Sequence, residues 1–315
     1  MNALSRSRGM AMITALLIVA LIATLAATTL WQQWKSLEVE SAERQRQQSQ
    51  WLLGGALDWA RLVLREDARS GNLDHLAEPW ALPLQEARLS SFLASSSDGV
   101  SEEERGMAER VFLSGQISDL QARLNVSNLI QGDQASAVDV AAFDRLFELL
   151  GLPRDALDRL VRQLLAAQRT GSNMIMPQRV SQLTWLGLTP AQLARLEPFI
   201  TWLPNRTAVN LNTAGVEVLH ASVPGLRLAD AQRAVLQRSA QHWKTLEEAG
   251  QALGDSGKTL SGPSHQLASN FFEVIGRVRL GSTTLVERSV IQRDDNQRIL
   301  WRDRGVMAGR ITSLQ

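Results

Sequence analysis

Arg6-Ser7-Arg8-Gly9, followed by MAMITALLIVALIATLAATTL from Met10 to Leu30, is the stretch that decides how this chain is read. The apolar run holds 21 residues without a charge. As a helix rising about 1.5 Å per residue, a run of that length crosses a hydrocarbon layer roughly 30 Å thick. Basic residues precede it, whereas Lys35, Glu38, Glu40, Glu43 and Arg44 behind it nearly balance one another. The positive-inside bias therefore keeps the N-terminus cytoplasmic and carries the rest of the chain to the other side.

Three readings of this opening compete. A cleaved secretory signal has the same basic start, but Leu25-Ala26-Ala27 and Ala26-Ala27-Thr28 make poor cleavage sites. A plain signal anchor satisfies the physics. Thirdly, a short basic leader ending in Gly9, before an apolar run that continues as one long helix, resembles a type IV prepilin or a type II secretion pseudopilin. That resemblance implies a cut between Gly9 and Met10 that leaves the apolar helix on the mature chain. Those families usually carry Glu at the fifth mature position, where it pairs with the ammonium of a neighbouring subunit. Here the fifth position is Thr14, which cannot form that ion pair, and within the family the minor pseudopilin K habitually lacks this acid.

At 315 residues the chain exceeds one small pilin domain and suits a membrane helix plus two modules, or one domain with an insertion. Its 33 basic and 32 acidic residues are interleaved, and the net charge of +1 argues against a surface organised for nucleic acid. There is no cysteine, hence no disulfide framework and no thiolate chemistry.

From Trp31 to about Asp67 no proline interrupts a run rich in helix formers, so the membrane helix continues as a stem. Trp31 and Trp34 suit the membrane surface. Leu52, Ala56, Trp59 and Val63, with Leu62 beside them, form an apolar stripe that needs a partner. Arg69-Ser70-Gly71-Asn72 ends the helix, and Glu78 to Pro83 is extended. Ser95 to Glu104 reads as an acidic loop. Val111 to Leu120 and Ala122 to Ile130 read as two strands, and Ser136 to about Leu253 as short amphipathic helices, with Pro153, Pro177 and Pro190 near helix starts and Thr189 as an N-cap. In this region Phe143, Leu146, Phe147 and Leu150 make one apolar face, and Leu157, Leu160, Val161, Leu164 and Leu165 another. Phe271 to Leu280, Thr283 to Arg293 and Gln297 to Arg302 alternate as an antiparallel meander joined at Gly281-Ser282 and Asp294-Asp295-Asn296.

Several motifs invite a chemistry that their surroundings do not support. Val209 to Ala214, Thr213 as a cap, the turn Val223-Pro224-Gly225-Leu226 and a helix from Leu228 to Ser239 resemble a helix-hairpin-helix unit. Such hairpins grip a phosphate through amides at two glycines, but Arg227 stands at the second place and no basic stripe surrounds it. Ala252 to Thr259 satisfies a loosened phosphate-loop pattern, yet it lacks the strand before and the helix after, and reads as a solvated loop. His75, His220, His242 and His265 are scattered and form no sequence-local metal pair. No nucleophile elbow occurs, so no catalytic residue is assigned.

The fold expected is therefore α+β: a pilin-like long N-terminal helix packed on an antiparallel sheet, with an inserted all-helical domain of helix-hairpin-helix or SAM-like type. The parts are a leader at 1–9, a membrane and stem helix at 10–67, the first part of the pilin-like domain at 68–130, the insertion at 131–265, closing strands at 266–304 and a tail at 305–315. The Leu124-Asn125-Val126-Ser127-Asn128-Leu129 segment and the Val209 to Gly225 pattern resemble the minor pseudopilin K of type II secretion, also called general secretion pathway protein K. This resemblance implies a non-enzymatic protein at the pseudopilus tip that takes part in initiation, capping and protein export across the outer membrane. Its implied partners are the minor pseudopilins I, J and H, a prepilin peptidase and the inner membrane, with a single pass, a cytoplasmic N-terminus, a periplasmic head and no nucleic acid. Relatives carry calcium in the helical insertion, but the comparable place, Leu164 to Asn173, has no carboxylate, so no metal or other cofactor is expected there. The alternative is a single-pass anchored periplasmic binding protein whose hairpin module takes up DNA.

Overall fold

The structure is a computed structural model and describes residues 4–93, 102, 106, 108–169, 174–280, 283–294 and 297–305. The acidic loop expected from Ser95 to Glu104 lies outside the described residues apart from Glu102, as do the turn residues Gly281, Ser282, Asp295 and Asn296 and the tail beyond Gly305.

With no proline and few β-branched residues beyond the apolar run, the chain forms one continuous helix, α1 (Leu4–Ser70). Side chains from Met10 to Arg44 are exposed throughout, including the whole apolar run. Beyond α1 come β1 (Leu84–Arg88), the short helix α2 (Leu89–Leu93), β2 (Val111–Asp119), β3 (Leu124–Asn125), β4 (Ile130–Gln131), β5 (Gln134–Ala135), β6 (Ile200–Thr201), β7 (Val209–Asn210), β8 (His265–Gln266), β9 (Phe271–Leu280), β10 (Thr283–Gln292) and β11 (Arg298–Gly305). The main sheet has five strands in the order β1-β2-β9-β10-β11, every pair antiparallel. Its last strand carries Arg298, Arg302, Asp303 and Arg304, charges that discourage a further strand from adding to that edge.

One face of the sheet receives α1. Leu53 packs with Val111, Val278, Leu280 and Leu285, and one helical stretch further on Leu57, Ala60 and Leu64 pack with Phe272, Val274, Ile291 and Trp80. Burying each of these leucines contributes about 1.5–3 kcal/mol. The buried stripe is thus one residue out of phase with the expected Leu52, Ala56, Trp59 and Val63 set: Trp59 is 55% exposed and Leu62 49%. The cause lies in the sheet. Gly115 and Gly276 face each other across β2 and β9, and a Cβ on Gly276 would stand 3.2 Å from Leu53 Cδ2. This close approach admits branched aliphatic side chains, while the wide indole of Trp59 turns to the rim.

The expected strand from Ala122 to Ile130 is broken into 3-10 turns, Leu120–Ala122 and Val126–Leu129, around β3. Asp119 and Asn125 each accept the backbone N–H two residues on, at 2.7 and 3.2 Å, which bends the chain where alternation alone predicts extension. The following helices are Ala137–Leu149, Arg154–Gln168, Pro190–Leu196, Val216–Ser222, Leu228–Ala240 and Leu246–Ala252. Pro190 opens its helix behind a Thr189 cap, and Pro153 is the N-cap of the Arg154 helix, but Pro177 precedes only a 3-10 segment, Val180–Leu186. The faces built on Phe143 and Leu157 meet in one core with Leu183, Leu196, Leu211, Leu219 and Val223.

Asp119 at the end of β2 pairs with Phe272 at the start of β9. Everything from Leu120 to Asn270 is therefore an excursion between two neighbouring strands, and the expected insertion at 131–265 lies inside it. Because α1 passes from Leu53 beside Leu280 to Leu64 beside Phe272, the excursion leaves the sheet at the end of α1 remote from the apolar run.

Candidate functional site

Of the expected processing and assembly residues, Gly9 and Met10 lie within the continuous helix α1, and Met10 is exposed. The Thr14 hydroxyl donates to its own helix, at 3.1 Å to the Met10 carbonyl and 2.9 Å to that of Ala11. It thereby satisfies itself locally and presents no charge to a neighbour. Lys35 stands 5.4 Å from the Trp31 ring, at the end of the apolar run.

The asparagines of both sequence motifs are buried staples rather than surface ligands. Asn125 accepts from Leu203 N at 3.1 Å and donates to the Asn205 carbonyl at 2.9 Å. Asn128 donates to the Thr207 carbonyl at 2.7 Å and accepts from Thr207 N at 3.1 Å, and Asn212 does the same with Trp243 at 2.9 and 3.0 Å. Each side-chain amide imitates a backbone peptide and so closes a loop that has no ladder of its own.

Asn210 leads to the junction between sheet and excursion. Its amide donates to Asp119 Oδ2, the Asp74 carbonyl and Ser269 Oγ at 3.1, 3.1 and 2.9 Å. Asp119 Oδ2 also accepts from Thr213 Oγ1 at 2.5 Å and Ser269 Oγ at 2.6 Å. Thr213 was expected to cap the following helix, but Gly215 holds that place while Thr213 serves Asp119. Burial raises the Asp119 carboxyl from 3.8 to about 6, opposed by its bonds from Ser269, Thr213 and Gln121.

Arg293, at the end of β10, closes the same junction. It donates to Asp67 Oδ2 at 2.8 Å, Asp74 Oδ2 at 2.6 Å and the Ser269 carbonyl at 2.6 Å. Oxygens of Asp67, Asp74 and Glu78 lie within 4.8 Å of one another. Asp67 is raised from 3.8 to about 6, by desolvation first and then by the charges of Glu78 and Asp74, against the pull of Arg293. The histidines that look scattered in sequence are partly gathered here: His75 stacks on His242 with centroids 3.6 Å apart. Burial and the neighbouring His75 and Lys244 lower the proton affinity of His242. No sequence signal flags this cluster, because its members are spaced like an ordinary solvated turn.

The hairpin and phosphate-loop motifs acquire no anion site. Gly225 is left-handed, with φ of 75°, but exposed Arg227 turns to Asp230 at 2.8 Å, and Arg233 pairs with the same carboxylate. Those bonds hold Asp230 below the usual carboxylate range, putting a negative charge where a phosphate would approach the helix. In the Ala252 to Thr259 stretch, Ala252 ends the helix Leu246–Ala252 and Gly254–Thr259 form a 3-10 helix, mostly exposed but with Gly257 buried, where a loop was expected. A Cβ on Gly257 would lie 2.0 Å from the Gly250 carbonyl oxygen, so both glycines serve backbone packing. In the stretch Leu164 to Asn173, where no metal is expected, Leu164 to Arg169 supplies no carboxylate, and residues 170–173 lie outside the described set.

Residues 122–205 and 209–269 match two family models, each described as type II secretion system (T2SS), protein K. Type II secretion system protein K of Pseudomonas aeruginosa is 29% identical over 330 residues, an alignment that covers 94% of this chain and 92% of that protein. The proteins of the same name from Klebsiella pneumoniae and Pectobacterium carotovorum subsp. carotovorum are 27% and 26% identical, each across 91% of this chain and 93% of the relative. Among solved structures, a chain from the crystal structure of the GspK-GspI-GspJ complex of the enterotoxigenic Escherichia coli Type 2 Secretion System superposes with a TM-score of 0.64 at 20% identity. That superposition covers 84% of this chain and 98% of the other, and the likeness is one of fold.

Proposed function

We propose, from its similarity to the type II secretion system protein K family, that this chain is a minor pseudopilin K that sits at the pseudopilus tip, helps to initiate the fibre, caps it and takes part in protein export across the outer membrane. Its role is structural, with no catalytic residue assigned. A prepilin peptidase cuts between Gly9 and Met10, the new N-terminus is methylated, and the apolar run to Leu30 anchors the chain once in the inner membrane. The N-terminus stays cytoplasmic and the head stands in the periplasm. Its partners are the minor pseudopilins I and J, in keeping with the complex from which the similar fold comes, and pseudopilin H.

The observation that supports capping is the placement of the excursion Leu120 to Asn270 beyond the outer end of α1. A subunit stacking from above meets this mass instead of the free end of a stem. Thr14 adds a second reason, since its hydroxyl is spent within the helix and offers no carboxylate to another subunit's ammonium. Mass spectrometry of the mature chain tests the processing: a methylated Met10 start is expected, and a chain retaining Met1 to Gly9 overturns it. Capping predicts that Thr14→Glu, or removal of the excursion, changes pseudopilus length and lowers secretion. If both leave length and secretion at the parent level, the capping account fails.

A further inference from the structure

Asp67 in the last turns of α1, Asp74 in the loop after it and Glu78 before Trp80 bring three carboxylates together, with oxygens within 4.8 Å. Arg293 answers them with one guanidinium, so the group carries two negative charges beyond its built-in cation. Water does little to offset them: the Asp74 side chain is 1% exposed and that of Asp67 9%. Asp74 Oδ2 is occupied by Arg293 and by Ser269 N at 2.6 Å, but its Oδ1 is buried and has no hydrogen-bond donor among the described residues. Glu78 uses Oε2 to accept from His75 N at 2.8 Å and Trp80 Nε1 at 2.7 Å, while its Oε1 stands 3.9 Å from His75 Nε2. An orphaned buried carboxylate oxygen is costly unless a cation or donor meets it.

We propose that Asp67, Asp74 and Glu78 bind a hard divalent cation of the calcium type at the junction of stem, sheet and excursion, with Asp74 Oδ1 as the innermost ligand and water completing the shell. The excess charge equals that of one such ion. The carboxylate oxygens suit calcium or magnesium rather than a thiolate-seeking metal. The oxygens lie within the roughly 5 Å that separates opposite ligands of a calcium ion bonded at about 2.3–2.6 Å, and calcium tolerates irregular ligand geometry, whereas magnesium demands a near-ideal octahedron and dehydrates reluctantly. Bound there, the ion joins the end of α1 to the loop that follows it and, through Arg293, to the last hairpin of the sheet. The place is distinct from the Leu164 to Asn173 stretch, where no calcium is expected.

Trp80 provides a local reporter, because its indole nitrogen bonds directly to Glu78. Full-length protein in detergent, stripped with chelator, is titrated with terbium while tryptophan is excited, then with calcium or magnesium by calorimetry and thermal melting. Saturable terbium emission displaced by calcium is expected, with magnesium at least about tenfold weaker. Trp80→Phe should cut the emission several-fold while calcium affinity stays within about twofold, and Glu78→Gln and Asp67→Asn should each weaken calcium by at least about tenfold. Glu78→Gln keeps the acceptor for Trp80 and His75, so it tests binding separately from folding. The absence of any calcium-dependent heat or melting shift in folded parent protein overturns the proposal, as does calcium affinity unchanged in both carboxamide variants or emission unchanged in Trp80→Phe. The three acids then form only an ion-pair network around Arg293.

Discussion

At the level of single residues, the junction makes stability depend on pH in an unusual direction. Asp67 and Asp119 are raised from 3.8 to about 6, chiefly by burial, so between those values the folded chain holds protons that the unfolded chain releases. Their contribution is fully present below about pH 4 and is lost as pH rises through about 6; for Asp119 it is on the order of 1–3 kcal/mol. In chelator, the stability of the parent minus that of Asp67→Asn should therefore fall between pH 4 and pH 7, as read by urea unfolding. A difference that grows with pH contradicts the assignment. Glycines give a sharper contrast. Gly257→Ala forces a Cβ against the Gly250 carbonyl and should destabilise the protein by several kcal/mol, on the order of the larger packing defects. Gly55→Ala meets nothing within 4 Å and should stabilise α1 by about 1 kcal/mol. Both melting shifts check the packing. The motif asparagines were visible in the sequence, but their partners were not: Asn125 answers Leu203, and Asn210 answers Asp74 and Ser269 across loops that no local spacing connects.

At the scale of elements, periodicity revealed the stem and the closing strands because each is long and regular. Phe272, Val274, Gly276, Val278 and Leu280 alternate through ten residues of β9, and that strand runs over the span expected from Phe271 to Leu280. The phase of the stem was harder to read, since two adjacent rows, Leu52-Ala56-Trp59-Val63 and Leu53-Leu57-Ala60-Leu64, are both apolar. Only the sheet chooses between them, through the glycine pair that lets Leu53 come close. This choice predicts a split result. Leu64→Ala empties a fully buried site and should cost about 2–5 kcal/mol of unfolding free energy. Trp59→Ala, at a position 55% exposed, should cost less than about 1 kcal/mol. Equal destabilisation by the two substitutions would return the indole to the core. The strand expected from Ala122 to Ile130 failed for a different reason, because Asp119 and Asn125 turn the backbone with their own side chains.

For the molecule as a whole, the main lesson is that a helical domain occupies the place of a hairpin turn. Asp119 and Phe272 are register partners, so a short turn replacing Leu120 to Asn270 should leave α1 and all five strands able to assemble. Circular dichroism should retain the sheet, while the unfolding midpoint falls, because the Asp119 bonds and the contacts of Leu120 and Leu203 with Phe271 and Val290 are gone. Loss of the sheet in that shortened chain would make the excursion an obligatory part of the pilin-like core. Alternation and proline spacing revealed both modules, but the network joining them depends on residues far apart in sequence. The same arrangement sets a schedule for biosynthesis. The ribosome makes the greasy side of the stem first and the strands that cover it last, so Leu53, Leu57 and Leu64 stay unsheltered until translation is almost complete. A holding chaperone is the natural companion of such an order.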